Sequence, residues 1–102
     1  QRMMQAVPTA DVVITNPTHF AVALKYDPKE MAAPVMVAKG VDAVAERIKE
    51  IAKENKVTVL ENAPLARALY ASMEIDQVIP SEHFKAVAEV ISYVFKLKGK
   101  KV

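Results

Sequence analysis

Six prolines, at positions 8, 17, 28, 34, 64 and 80, cut this chain into short pieces. Proline fixes φ and donates no backbone N–H, which bars it from helix interiors and from central positions of a sheet. Glycine occurs only twice, so proline does most of the punctuating. The fold must therefore be assembled from short strands and helices.

Between the prolines the apolar residues alternate or recur with clear periods. Asp11-Val12-Val13-Ile14-Thr15 is a short β-branched apolar run, which reads as a buried strand. In Phe20-Ala21-Val22-Ala23-Leu24-Lys25-Tyr26, a period of two puts Phe20, Val22, Leu24 and Tyr26 on one face. Ala21 and Ala23 fall on the other, small enough for a helix to approach closely. Tyr26-Asp27-Pro28-Lys29 has proline at the second position of a turn. Pro34-Val35-Met36-Val37-Ala38 reads as a third strand. Over residues 41–55, Val41, Val44, Ala45, Ile48, Ile51 and Ala52 recur at three and four and predict an amphipathic helix, with Asn55 as a left-handed stop. Asp42, Glu46 and Glu50 run beside Lys49 and Lys53 as a solvated charged face. Val57-Thr58-Val59-Leu60 reads as a fourth strand. Asn62 caps a helix with Pro64 in its first turn and Leu65, Ala66, Leu69 and Tyr70 inward. Ser81 is expected to cap a last helix with an apolar stripe of Phe84, Val87, Ala88, Ile91, Val94 and Phe95. The order β-β-β-α-β-α-α predicts an α/β fold, a small mixed sheet of about four strands surrounded by helices. The third strand, the helix and the fourth strand should form a right-handed parallel crossover.

At 102 residues, 52% hydrophobic and 25% charged, the chain makes one domain, 1–102, and is not disordered. A net charge of +2 gives no case for nucleic-acid binding. With no cysteine, disulfides and thiolate metal sites are excluded. Only His19 and His83 supply imidazole, and His83 reads as an ordinary surface residue. Neither a Gly-rich phosphate loop nor a Ser nucleophile elbow is present, and no cofactor or metal is implied. The apolar runs are too short for a membrane span. No signal peptide is read at the start, and the abrupt Gln1-Arg2-Met3-Met4 reads as the beginning of a piece of something longer. Lys96-Leu97-Lys98-Gly99-Lys100-Lys101 is a basic tail, read as a solubilising end.

One tetrapeptide carries unusual chemistry: Asn16-Pro17-Thr18-His19, between two strands. Asparagine ordinarily loses its amide when the next backbone nitrogen attacks it, and Pro17 has no N–H for that step. The opposite attack stays open. The Asn16 side-chain nitrogen closes a succinimide on its own main-chain carbonyl and expels the Pro17 nitrogen, which breaks the backbone. A held geometry favours such an intramolecular step through proximity. Asn at the first position and Pro at the second suit a type I turn, which brings His19 within about 7 Å of Asn16. His19 is then placed to take a proton from the amide and return one to the departing nitrogen. Thr18 can hydrogen-bond the turn or polarise the Asn16 carbonyl. A type I turn matches the twist of a tight hairpin poorly, so strain at the scissile bond is expected. In most proteins the same four residues are only a turn.

The segment Ala10-Asp11-Val12-Val13-Ile14-Thr15-Asn16-Pro17-Thr18-His19-Phe20-Ala21-Val22-Ala23-Leu24 resembles the hallmark of the FlhB/YscU family, the substrate-specificity switch proteins of flagellar and virulence type III secretion. The likeness continues through Ala33-Pro34-Val35-Met36-Val37-Ala38-Lys39-Gly40, Pro64-Leu65-Ala66-Arg67-Ala68-Leu69-Tyr70, Ile79-Pro80 and Ala88-Glu89-Val90. Val22-Ala23-Leu24-Lys25-Tyr26 and Ala38-Lys39-Gly40 look more like the flagellar branch. The resemblance implies a single-turnover cleavage between Asn16 and Pro17, not a turnover enzyme. Fragments 1–16 and 17–102 would stay associated. It implies a cytoplasmic domain of an inner-membrane protein, with the transmembrane part preceding residue 1. The partners it implies are other export-gate and export-apparatus proteins, rod- and hook-type substrates and a hook-length ruler protein. Export would then switch from rod- and hook-type to filament-type substrates. Ala33 and Pro34 match the family's small hydrophobic patch for early substrates. Pro34 suits an accessible sheet margin, and Ala88 and Ile91 lie at helical spacing, so a shallow apolar groove of Ala33, Pro34, Ala88 and Ile91 is expected. Two rival readings are a non-cleaving protein-binding module, in which the tetrapeptide is only a turn, and a basic RNA-binding domain. The second lacks aromatics interleaved with basic residues.

Overall fold

Four strands form one sheet: β1 (Val12–Asn16), β2 (Phe20–Lys25), β3 (Val35–Val41) and β4 (Thr58–Glu61). The structure, a computed structural model, describes residues 2–17 and 19–99. The strands stand in the order β3-β2-β1-β4, with β1 antiparallel to β2, β2 antiparallel to β3, and β1 parallel to β4. Among the described residues, four α-helices accompany the sheet: α1 (Arg2–Ala6), α2 (Asp42–Glu54), α3 (Ala63–Ser72) and α4 (Phe84–Leu97). The expected mixed α/β architecture is therefore the observed one.

The alternation read in the second strand decides which helices cover which face. Val22 and Leu24 join Val12, Ile14 and Met36 against α3 and α4, with Phe20 and Tyr26 at the margin. Ala21 and Ala23 face the other way, where Ala45, Ile48, Ile51 and Ala52 of α2 pack close. Small residues on that face let the helix sit near the sheet. The large apolar side chains gather on the opposite face, which must accommodate two helices. The alternation breaks in β3. Ala23 pairs with Ala38 but Leu24 with Met36, so Val37 is a bulge, and Val37 and Ala38 both face the α2 side.

Several expectations need correcting. The crossover from β3 through α2 to β4 does join parallel strands, but they are not neighbours: β4 pairs with β1 at the far side of the sheet. α1 has no counterpart in the sequence reading. At the end of α2 the left-handed residue is Lys56 (φ 61°), while Asn55 is at φ −106° and caps with its side chain, donating from Nδ2 to the Ile51 carbonyl at 2.8 Å. Ser81 does not cap α4. It opens a 3₁₀ turn, Ser81–His83, and α4 starts without a side-chain cap. Phe84 and Ala88 are exposed, so the buried stripe of α4 is Val87, Ile91, Val94 and Phe95. Asn62 does cap α3 as expected, its Oδ1 accepting from Leu65 N–H at 3.2 Å. His83 is half-buried, with Nε2 at 3.4 Å from Ser72 Oγ. The end of the basic tail, Lys100-Lys101, lies outside the described residues.

Candidate functional site

β1 and β2 stay paired up to Asn16 and Phe20, so Pro17, Thr18 and His19 alone connect them. The backbone N–H of His19 donates to the Asn16 carbonyl at 3.0 Å, which closes the expected turn with Asn16 first and His19 fourth. Thr18 lies outside the described residues. The Asn16 carbonyl thus has a backbone donor in His19.

The neighbours of this turn come from far along the chain. β3 ends at Val41, paired with Phe20, and α2 begins at Asp42 with no loop between them. So abrupt a change of direction puts Asp42 in the left-handed region, φ 48°. Gly40 is required just before it, because any Cβ there would overlap the Val44 side chain. Asp42 N–H donates to the His19 carbonyl at 2.9 Å, and Asp42 Oδ1 lies 3.5 Å from His19 Nδ1. Two turns further along α2, Lys49 Nζ donates to the Pro17 carbonyl at 3.3 Å and pairs with Glu46 at 2.7 Å. Asp42 and Lys49 are thus not merely part of a solvated charged line: both reach the turn. On the other face Phe20 packs on Tyr70 of α3 with ring centroids 5.0 Å apart. Among the described residues the left-handed non-glycine positions are Asp42, Lys56 and Asp76, not Pro17 or His19.

Residues 1–94 match the sequence profile of the FlhB HrpN YscU SpaS family. The chain belongs to this family. It is 61% identical to the flagellar biosynthetic protein FlhB of Bacillus subtilis over 98% of its own length and 28% of that protein's. For the Escherichia coli FlhB the figures are 56%, 96% and 26%. The chain therefore spans about a quarter of the length of these relatives. Its fold superposes on the cytoplasmic domain of FlhB from Shewanella putrefaciens with a TM-score of 0.89, at 48% identity, covering 99% of this chain and 83% of that one. A mutated EscU C-terminal domain matches with a TM-score of 0.86 at 32% identity, covering 90% and 92%.

A second feature of this FlhB-family fold lies beside β3 and α4. Ala33, Pro34, Ala88 and Ile91, expected to form a groove, do line one apolar groove of about 220 Å³. Tyr26, Ala32, Ile79 and Phe84 complete it; Phe84 shares the helical spacing of Ala88 and Ile91, but no spacing links Tyr26 or Ile79 to them. Ile91 is only 2% exposed and forms the floor, whereas Ala88 and Phe84 stand at the rim. Pro34 does not border an open sheet edge. Its carbonyl accepts from Ile79 N–H at 3.0 Å, and Val35 bridges Val78, so a returning segment covers that part of β3. Among the described residues, no three His, Asp or Glu converge to hold a metal ion, and no helix is long and apolar enough to cross a membrane.

Proposed function

We propose that this chain cuts its own backbone once, between Asn16 and Pro17. The Asn16 Nδ2 attacks the Asn16 carbonyl carbon, and a C–N bond forms as the five-membered imide closes. The bond to the Pro17 nitrogen breaks. One proton leaves Nδ2 and one is gained by the Pro17 nitrogen, so the step consumes no water. The observation that carries this reading is the 3.0 Å bond from His19 N–H to the Asn16 carbonyl. It places a fixed donor on the oxygen where negative charge develops. The His19 side chain is 64% exposed, and with the Asp42 carboxylate facing Nδ1 the proton is assigned to that nitrogen, leaving Nε2 to relay protons directly or through water.

The two fragments stay together because fragment 1–16 supplies the central strand. β1 is paired on both sides, with β2 and β4. Val7, Val12, Val13 and Ile14 are fully buried, each contributing about 1.5–3 kcal/mol. Across the cut, Asp11 N–H donates to Leu24 O at 2.8 Å and Tyr26 N–H to Asp11 Oδ2 at 2.7 Å.

In this reading the domain is the cytoplasmic part of an inner-membrane protein of the flagellar export apparatus. It works beside other gate proteins and a hook-length ruler protein, and cleavage allows export to pass from rod- and hook-type to filament-type substrates. The groove of Ala33, Pro34, Ala88 and Ile91 takes a short apolar segment of an early substrate, weakly enough for release. Intact-mass spectrometry of the denatured purified chain tests the core claim. Masses of 1–16 and 17–102, formed without protease, are expected. A single intact mass after long incubation leaves a non-cleaving binding module.

A further inference from the structure

Cleavage by this route depends on how the Asn16–Pro17 peptide is held. Asn16 is the last paired residue of β1, and its carbonyl is tied to His19 N–H. The Pro17 ring locks φ. Pro17 ψ turns the Pro17 carbonyl and the chain beyond it. Among the described residues, one side chain donates to that carbonyl: Lys49, from the second turn of α2.

Lys49 is well placed to hold it. Its side chain is 19% exposed, low for a lysine, so its four-carbon stem is packed and its reach is limited. Glu46, one turn earlier on the same helix, fixes the ammonium from the other side at 2.7 Å. α2 itself is anchored to the turn at a second point, through Asp42 N–H on the His19 carbonyl, at the cost of a left-handed backbone at Asp42. The helix therefore grips the loop at both Pro17 and His19.

We propose that Lys49 is a positioning residue for the Asn16–Pro17 bond: by holding the Pro17 carbonyl it keeps the scissile peptide in the orientation that the Asn16 amide attacks. Lys49 touches no reacting atom. This inference rests on the self-cleavage reading above. Lys49 and Pro17 both belong to fragment 17–102, so their bond survives the cut and keeps the new end of the chain against α2.

The test follows the first-order appearance of fragment 17–102 in the full chain and in three variants, Lys49→Met, Lys49→Arg and Glu46→Gln. Methionine keeps the packed stem and removes the donors. Loss of hold on a reacting geometry slows such a step by about 10- to 100-fold, and that is the expectation for Lys49→Met. Arginine restores a charged donor and is expected within about threefold of the parent. Glu46→Gln keeps an oxygen beside the ammonium and leaves the Lys49–Pro17 bond in place, so a slowing clearly smaller than that of Lys49→Met is expected. Thermal midpoints are compared in an Asn16→Ala background, where no chain is cut, and Lys49→Met is expected to match its parent there. Cleavage of Lys49→Met at the parent rate overturns the proposal while self-cleavage stands. So does slowing of Lys49→Met and Lys49→Arg alike with a fall in midpoint, which marks a purely structural role. Equal slowing by Glu46→Gln overturns it too, by assigning the effect to the ion pair. An uncut parent chain overturns the cleavage reading and the positioning role with it.

Discussion

The turn at Asn16–His19 and the groove beside α4 are built on opposite plans. The turn is four consecutive residues, with Pro17 and His19 exposed and with backbone hydrogen bonds from His19 to Asn16 and from Asp42 to His19. The groove is apolar and gathers Tyr26, Ala33, Pro34, Ile79, Ala88 and Ile91 from separate parts of the chain. The turn keeps its reacting groups on neighbouring residues, and its long-range supports come from one helix, through Asp42 and Lys49. An assembled site depends on every element that delivers a wall. β1 and β2 link them: the turn joins these strands, and Leu24 of β2 packs in the same core as Ile91.

The largest expected effect separates the two sites outright. Asn16→Ala removes the nucleophile and should abolish cleavage, with mass spectrometry showing one intact chain, while binding of a hook-type substrate is unchanged. Pro17→Ala should block the cut or slow it greatly, since an N–H returns and φ is released. Efficient cleavage in Asn16→Ala removes the imide mechanism.

Next in size is a change that should harm both regions. Ile14 is fully buried in the central strand, and Ile14→Ala should lower stability by about 2–5 kcal/mol. Denaturant unfolding measures that loss. In cleaved protein the same variant should let fragment 1–16 separate on gel filtration, whereas the parent fragments co-elute. Separation of the parent fragments without denaturant contradicts the two-sided pairing argument.

His19→Ala should slow cleavage by about 10²-fold, the low end for acid–base assistance, because the imidazole is largely exposed. It should not abolish the reaction, since the donor on the Asn16 carbonyl is backbone and remains. Quench-flow or timed mass spectrometry reads this difference. A rate equal to the parent's takes His19 out of proton transfer.

The smallest effect belongs to the groove. Ala33→Asp puts a carboxylate where an apolar segment would dock, and a titration should show binding weakened by about tenfold or more. Cleavage in the same variant should proceed at the parent rate. If both change together, the two regions are coupled through β2 and the contrast between them fails.

Local chemistry was legible in the residues themselves. The strand alternation of Phe20–Tyr26, the stripe of α2, the Asn62 cap and the Asn16–His19 turn all depend on neighbours within a few positions, and all appear in the fold. The groove was partly legible: Ala88 and Ile91 share a helical spacing, but nothing in the spacing joins them to Tyr26 or Ile79. Where local signals were misread, a tertiary contact had taken over. Phe84 and Ala88 fit the apolar stripe of α4, yet they stand at the groove rim instead of entering the core.

The sequence alone determined that short strands and helices alternate, that one strand face is small and the other large, and that an Asn–Pro bond sits in a turn. Each follows from side-chain period, proline geometry or a hydrogen bond between near neighbours. Tertiary structure decided that β4 crosses to pair with β1, that β1 is central, and that Asp42 and Lys49 reach the turn. The physical reason is range. Periodicity records which way a side chain points from its own segment. Strand order and the partner of a charged residue are set by the packing of segments distant in the chain, and identical local patterns are compatible with several such packings.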